Sequence, residues 1–438
     1  MPRLAIIDQD VAAAGGVRYS QELVRALLHL PEIKEWDVTI VARRRNSAGF
    51  DAHWDECVSG TDARLVYLRD DPGRRLFDRL SAAGRIMGIP GTSRLQQAIP
   101  RLLRRWGTRA IREYAGEVRL WIEQYLEKSK FDVAYFPFPY MMECPAVSVP
   151  LVSTPHDFNF KTMDSLDPAH RQVMEAQMSG WLERCRKLIV SSEFIRGEVA
   201  RFYPQFVDKV QVVRSGIPGE DSTTSQDDVK ATASKFALPD QFILITGWLL
   251  PHKNQKIVLQ ALARLRAKGT DIKAVLVGPN SHQLGADYTG WMSPYVRSMR
   301  EEADSSGLTS GKDYLALGYV GDLELRCLYR LARLVVVPSL YEAGSFPLLE
   351  AILAGCPVVC ARIPPIEEQA ELLEGNVTLF DPTSADDLAA KISGILKNPE
   401  EALSQADRAR LIAPRHFAWR RTAEIYLTVF TELCRQSG

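Results

Sequence analysis

The stretch Leu334-Val-Val-Val-Pro-Ser-Leu-Tyr-Glu-Ala-Gly-Ser-Phe-Pro-Leu-Leu-Glu-Ala-Ile-Leu-Ala-Gly-Cys-Pro-Val-Val-Cys360 carries the most information in this chain. A β-branched apolar run ending at Pro338 predicts a buried strand, and Val358 to Arg362 predicts the next one. Between them the residues predict a loop holding Glu342 and Gly344, then a helix with Ser345 as N-cap, Pro347 in its first turn and Gly355 closing it. Strand, loop and helix in this order form the edge of a parallel sheet. There the helix start presents unpaired backbone N–H groups and a positive dipole end, a natural seat for a phosphate-bearing ligand. Glu342 lies before the helix start and Glu350 about one turn inside it. Anions repel carboxylates, so neutral hydroxyls such as those of a sugar or a ribose are their natural partners. The plainer reading is that Glu342 compensates the helix dipole and Glu350 lies on a solvated face.

The same rhythm extends outward. Strands are expected at Leu4 to Asp8, Asp37 to Ala42, Arg64 to Leu68, Val133 to Phe136, Leu151 to Ser153, Lys187 to Ser191 and Val210 to Val213. A second series is expected at Phe242 to Gly247, Ala274 to Gly278, Leu315 to Tyr319, Leu334 to Pro338, Val358 to Arg362 and Val377 to Phe380. Helical patterns lie between the strands, so the fold class is α/β with two doubly wound sheets. The turn-rich, apolar-poor run from Gly216 to Asp228 marks the boundary. One domain is expected over 1–220, completed by a C-terminal helix within 415–438, and a second over 221–414.

With 54 basic and 54 acidic side chains the formal net charge is zero, which argues against a dedicated nucleic-acid binder. Seven scattered cysteines with no CxxC pair suit buried thiols in a reducing compartment. No apolar run reaches the ~20 residues of a membrane span. A cytoplasmic protein is expected, with a peripheral contact at the inner membrane face left open. That contact is suggested by Arg74 to Arg119, where eleven arginines and no lysine face three acids, a net charge of +8. The block suits an anionic bilayer or a phosphate-bearing acceptor, or else a solvated helix face paired with acids from elsewhere.

Glu342 to Glu350, followed by Ala354-Gly-Cys-Pro-Val-Val, resembles the Glu, seven residues, Glu signature of retaining GT-B glycosyltransferases, specifically glycosyltransferase family 4. Gly15-Gly16, His156-Asp157, Gly247 to Asn254, Val277-Gly-Pro279, Gly318-Tyr-Val320 and Phe417-Ala-Trp419 fall in the order of that family's motifs. The resemblance spans nearly the whole chain and is weakest between about residues 45 and 130. It implies a GT-B architecture: two Rossmann-like domains facing across a cleft, with the last helix crossing back to the first domain. The implied reaction moves a sugar from a nucleoside diphosphate-sugar to a hydroxyl of a glycan or lipid-linked acceptor, with retention and without metal or cofactor. A mannosyl-, glucosyl- or N-acetylglucosaminyl-transferase of bacterial surface polysaccharide assembly fits.

Residue by residue, the resemblance places Glu350 on the ribose hydroxyls and Glu342 beside the donor sugar. Gly344, Ser345 and Phe346 would face sugar and pyrophosphate, with Gly247, His252, Tyr319 and Val320 on the nucleotide side. Lys253 would neutralise the leaving diphosphate, and His156 would contact the sugar near its C6 hydroxyl, with Asp157 as the neighbour to orient it. Gly15-Gly16, by itself a turn between the first strand and a helical stretch from about Arg18 to His29, would in the family let the first loop approach phosphate and acceptor closely. The chain departs from the pattern where relatives carry a second cation, having Trp248 five positions before the lysine and His252 one before it. That departure supports an alternative, a noncatalytic GT-B protein that binds a nucleotide sugar or serves as a scaffold. A GT-B epimerase or phosphorylase is a third reading, although the phosphorylase cofactor-lysine motif is not found.

Overall fold

The computed structural model describes residues 1–8, 14–42, 54–68, 116–140, 142–162, 168–217, 219, 223–290 and 292–437. Among the described residues thirteen strands fall in the thirteen predicted places, each within about one residue. They are β1 (Arg3–Ile7), β2 (Asp37–Ala42), β3 (Arg64–Tyr67), β4 (Val133–Phe136), β5 (Leu151–Ser153), β6 (Lys187–Val190), β7 (Val210–Val212), β8 (Phe242–Thr246), β9 (Lys273–Val277), β10 (Tyr314–Gly318), β11 (Leu334–Val337), β12 (Val358–Ala361) and β13 (Thr378–Phe380).

The chain divides into two compact units. One comprises Met1–Val190, Val199–Gln211 and Ala423–Gly438, the other Ser191–Glu198 and Val212–Thr422. Where the sequence suggested 221–414 for the second domain, the contacts extend that unit to Val212 and Thr422 and add Ser191–Glu198.

The first sheet has the order β3-β2-β1-β4-β5-β6-β7, parallel from β3 through β6. Its central strands are fully enclosed: Leu4 to Ile7 and Val133 to Phe136 are all at 0% exposure. Burial on both faces is why they read as continuous apolar runs instead of alternating ones. The C-terminal helix Trp419–Ser437 closes this unit. Tyr426 of that helix bonds Tyr19 (hydroxyls 2.6 Å apart) and Thr154 (2.8 Å), and Tyr135 bonds the same threonine at 2.8 Å. Four buried hydroxyls thus satisfy one another where each alone would be costly.

The second sheet is parallel throughout, in the order β10-β9-β8-β11-β12-β13. Both sheets therefore follow the doubly wound order, with the direction of winding reversing between β1 and β4 and again between β8 and β11. Crevices at such reversals, beyond the carboxyl ends of the strands, are where ligands bind in open α/β sheets.

One detail corrects the sequence reading. Gly15 and Gly16 do not form a turn: the helix begins at Ala14 and both glycines lie in its first turn, where the backbone N–H groups need no partner within the helix. Of the arginine-rich block Arg74 to Arg119, residues 74–115 lie outside the described residues. Arg119 at its end pairs with Glu123 at 3.3 Å. Among the described residues no helix is long and apolar enough to cross a membrane.

Candidate active site

The carboxyl ends of β8, β9 and β10 are built from glycine. Gly247, Gly278 and Gly318 each follow or end a strand and take positive φ, at 116°, 135° and 78°. The Gly247 N–H donates to Val277 O (2.9 Å) and the Gly278 N–H to Gly318 O (2.8 Å), which draws the three strand ends together. A Cβ on Gly278 would fall 2.3 Å from the Gly247 carbonyl oxygen, so this approach requires glycine. These strand ends lie next to the winding reversal between β8 and β11, Gly247 partly exposed and Gly278 and Gly318 buried.

Two loops enter that reversal. After β8, Gly247 to Leu250 leads into the tight turn Pro251–Lys253, ended by Asn254 in the left-handed conformation. After β11, Ser339 to Ser345 leads into the helix Phe346–Leu353. They are joined by backbone, the Leu340 N–H donating to His252 O at 2.7 Å. They are joined by charge as well, Lys253 Nζ lying 2.7 Å from Glu342 Oε1. Ser339 Oγ donates to the same carboxylate oxygen at 2.7 Å. Glu342 is therefore neither an exposed cap nor a surface acid; it is buried and bound by a cation and a hydroxyl.

The helix start is formed as its sequence predicts. Ser345 is the N-cap, its Oγ accepting from the Leu348 N–H at 3.3 Å. Phe346 and Pro347 open the first turn and Gly355 takes the left-handed position after Ala354, with φ 67°. The Ser345 N–H donates to Gln369 Oε1 at 2.9 Å. The Ala343 carbonyl just before Gly344 accepts from Ser192 Oγ at 2.7 Å and Ser191 Oγ at 3.2 Å. Gln369 and the two serines hold the loop from outside it, and no pattern near the Glu-x7-Glu stretch pointed to them.

Glu350 also departs from the solvated-face reading, at 8% exposure. Its Oε2 accepts from Tyr329 OH at 2.7 Å, and the same hydroxyl lies 2.9 Å from Thr246 Oγ1, the last residue of β8. Thr246, Tyr329 and Glu350 form a chain of hydrogen bonds that fixes the carboxylate on the helix. Spacing could not reveal it, because its members come from three separate elements.

The remaining residues divide between the units. Tyr319 is exposed beyond β10 and Val320 is buried in the core, so of this pair Tyr319 offers its side chain at the edge. In the first unit, His156 Nε2 donates to Pro137 O at 2.7 Å, and the imidazole packs edge-on to Tyr19 with ring centres 4.7 Å apart. Burial holds its pKa down at about 4 despite that bond. His156 is therefore neutral at pH 7, with the proton on Nε2 and Nδ1 the acceptor. Pro137, not Asp157, orients the ring: Asp157 Oδ1 accepts from the Asn159 N–H at 3.2 Å.

Two parallel doubly wound units, the second with glycine-edged strands and a helix start flanked by buried carboxylates, define the class: this is a GT-B glycosyltransferase fold. Within it, residues 228–411 match the model of the family described as glycosyl transferases group 1. The chain is 27% identical over 272 residues to the O-antigen chain mannosyltransferase B of Escherichia coli, covering 61% of this chain and 66% of that protein. Among solved structures it resembles sucrose-phosphate synthase from Thermosynechococcus elongatus, with TM-score 0.70, 17% identity and 99% of both chains covered. It also resembles Anabaena HepE in complex with UDP-glucose, with TM-score 0.66 and 17% identity over 99% of this chain and all of that one.

Proposed function

We propose that the chain is a retaining, metal-independent glycosyltransferase that moves a hexose from a nucleoside diphosphate-sugar to a hydroxyl of a glycan or lipid-linked acceptor, in bacterial surface polysaccharide assembly. One observation carries this reading: Lys253 Nζ is held 2.7 Å from the buried Glu342 at the winding reversal, beside a helix start and the second buried acid, Glu350. In the reaction the leaving diphosphate gains negative charge as the glycosidic bond breaks. Lys253 and the N-terminal end of the helix Phe346–Leu353 are the groups that stabilise it. Glu350 accepts from the ribose hydroxyls and Glu342 from the sugar. Gly247, Gly344, Ser345, Phe346, His252 and Tyr319 line the nucleotide and sugar side, and Val320, its side chain in the core, serves there through its backbone alone.

His156, Gly15 and Gly16 take the sugar, phosphate and acceptor roles that the family resemblance implies. The donor phosphate oxygen accepts the acceptor's proton in the retaining scheme, so no protein base is needed. The relative in Escherichia coli is named as a mannosyltransferase and HepE was solved with UDP-glucose, which makes GDP-mannose and UDP-glucose the first donors to try. A cytoplasmic enzyme touching the inner membrane face through its arginine-rich block would meet a lipid-linked acceptor where it is assembled.

The neutral residues Trp248 and His252, standing where relatives carry arginine, favour one second reading: a noncatalytic GT-B protein that binds a nucleotide sugar. Transfer and donor hydrolysis across a sugar-nucleotide panel separate the two. Turnover that is lost in folded Lys253→Ala and Glu350→Ala supports the enzyme. Tight binding without turnover supports the sensor, and full turnover in both variants overturns the site assignment.

A further inference from the structure

Two polar atoms on the loop after β8 stand out. Trp248 Nε1 and His252 Nδ1 are buried, and neither has a hydrogen-bond partner among the described residues. Three backbone carbonyls of the loop around them are paired. Trp248 O accepts from Gln255 Nε2 at 2.8 Å, His252 O from the Leu340 N–H at 2.7 Å and Pro251 O from the Asn254 N–H at 3.2 Å. Two side-chain nitrogens left buried and unmatched bear a stability cost. A ligand that supplies the missing partners removes it.

The charges facing His252 are Lys253 on its own turn and Glu342 on the loop after β11. Burial first, and then the Lys253 cation, push its pKa down to about 4, with Glu342 opposing them. Without ligand the imidazole is neutral at pH 7, and Lys253, already matched by Glu342, is the one cation on this turn. A diphosphate brings two negative charges to that turn, and nearby negative charge favours the protonated imidazole.

We propose that Trp248 Nε1 and His252 Nδ1 are hydrogen-bond donors reserved for the donor's diphosphate, His252 taking one proton from solvent as the diphosphate binds. The second positive charge of the site thus arrives with the ligand. Trp248 supplies a neutral N–H beside it, and the pair does together the work of an arginine. This inference rests on the donor-site reading above and adds to it a linkage between sugar-nucleotide affinity and pH. The two phosphates of a sugar nucleotide are singly and strongly ionised, so the proton is taken up by the protein. Affinity rises as pH falls from about 8 toward 6, by up to about tenfold per unit.

Isothermal titration of the full chain with GDP-mannose and with UDP-glucose, in two buffers of different ionisation enthalpy at pH 7.5, tests this. The expected result is an uptake of half to one proton per ligand bound. His252→Gln is expected to abolish the uptake and weaken binding about tenfold, and His252→Arg to abolish the uptake while keeping or tightening binding. Trp248→Phe should weaken binding about fivefold with the uptake intact. Binding with buffer-independent heat in the wild type, or unchanged uptake in His252→Gln, overturns the proposal. If the folded wild type binds neither sugar nucleotide, the donor-site reading itself falls, and this inference with it.

Discussion

Lys253 Nζ lies 2.7 Å from Glu342 Oε1 across 89 residues of sequence, and the two partners are unequally buried, the lysine side chain at 25% exposure and the glutamate at 8%. This asymmetry makes the two halves of the pair distinguishable. Lys253→Ala strands a buried carboxylate and is expected to cost roughly 2 kcal/mol, below the full value for a buried pair because the lysine reaches solvent. Glu342→Gln leaves an ammonium that water can serve and should cost less than about 1 kcal/mol. Urea denaturation of both variants checks the order; equal losses would contradict it. Sugar transfer is expected to fall at least ~100-fold in each.

Tyr329→Phe removes the hydroxyl that links Thr246 to Glu350. The expected losses are about 1–2 kcal/mol of stability and several-fold in donor affinity, seen as a raised KM with kcat nearly unchanged. A fall in kcat with KM unaltered would place Glu350 in the reaction step and not in ground-state binding.

Gly278→Ala is expected to cost at least ~3 kcal/mol, since its φ of 135° suits glycine alone and the new Cβ would meet the Gly247 carbonyl at 2.3 Å. Gly375→Ala is the control: φ is 73° with nothing within 4 Å, so about 1–2 kcal/mol is expected. Similar denaturation midpoints for the two would show that the strand ends relax apart.

Acid should weaken the first unit through His156. Its pKa is about 4 when folded against about 6.5 when unfolded. The unfolded chain therefore binds the extra proton between those values, and stability falls as pH drops through the window. The expected loss is about 2 kcal/mol at pH 5 and about 3 kcal/mol below pH 4, with none above pH 7. His156→Gln should flatten this part of the profile, and a variant as acid-sensitive as the wild type would assign the loss to other groups.

The central strands were legible because they are buried on both faces, so each is an unbroken β-branched or apolar run between turn residues. The helix start at Ser345 was legible because a cap, a first-turn proline and a closing glycine act within ten residues of one another. What local pattern could not carry is partnership over distance. Glu342 and Glu350 read equally well as surface acids until Lys253, Ser339 and Tyr329 are seen bound to them. Gly15-Gly16 read as a turn because glycine is a turn residue, yet a first helical turn tolerates it. Gly278 looked like an ordinary strand end, and only the nearby Gly247 carbonyl shows why no side chain fits there.

Tyr426 completes the hydroxyl cluster under the first sheet, and it lies in the segment Ala423–Gly438, separated from the rest of its unit by the whole stretch from Val212 to Thr422. During synthesis at about 5–20 residues per second, the first unit waits roughly 10–40 s for its last helix after Gln211 has emerged. In that interval Tyr19, Tyr135 and Thr154 lack their central partner and the face that the helix covers stays open. The unit made first is thus the last to be finished, and the second unit, contiguous except for Ser191–Glu198, can mature before it.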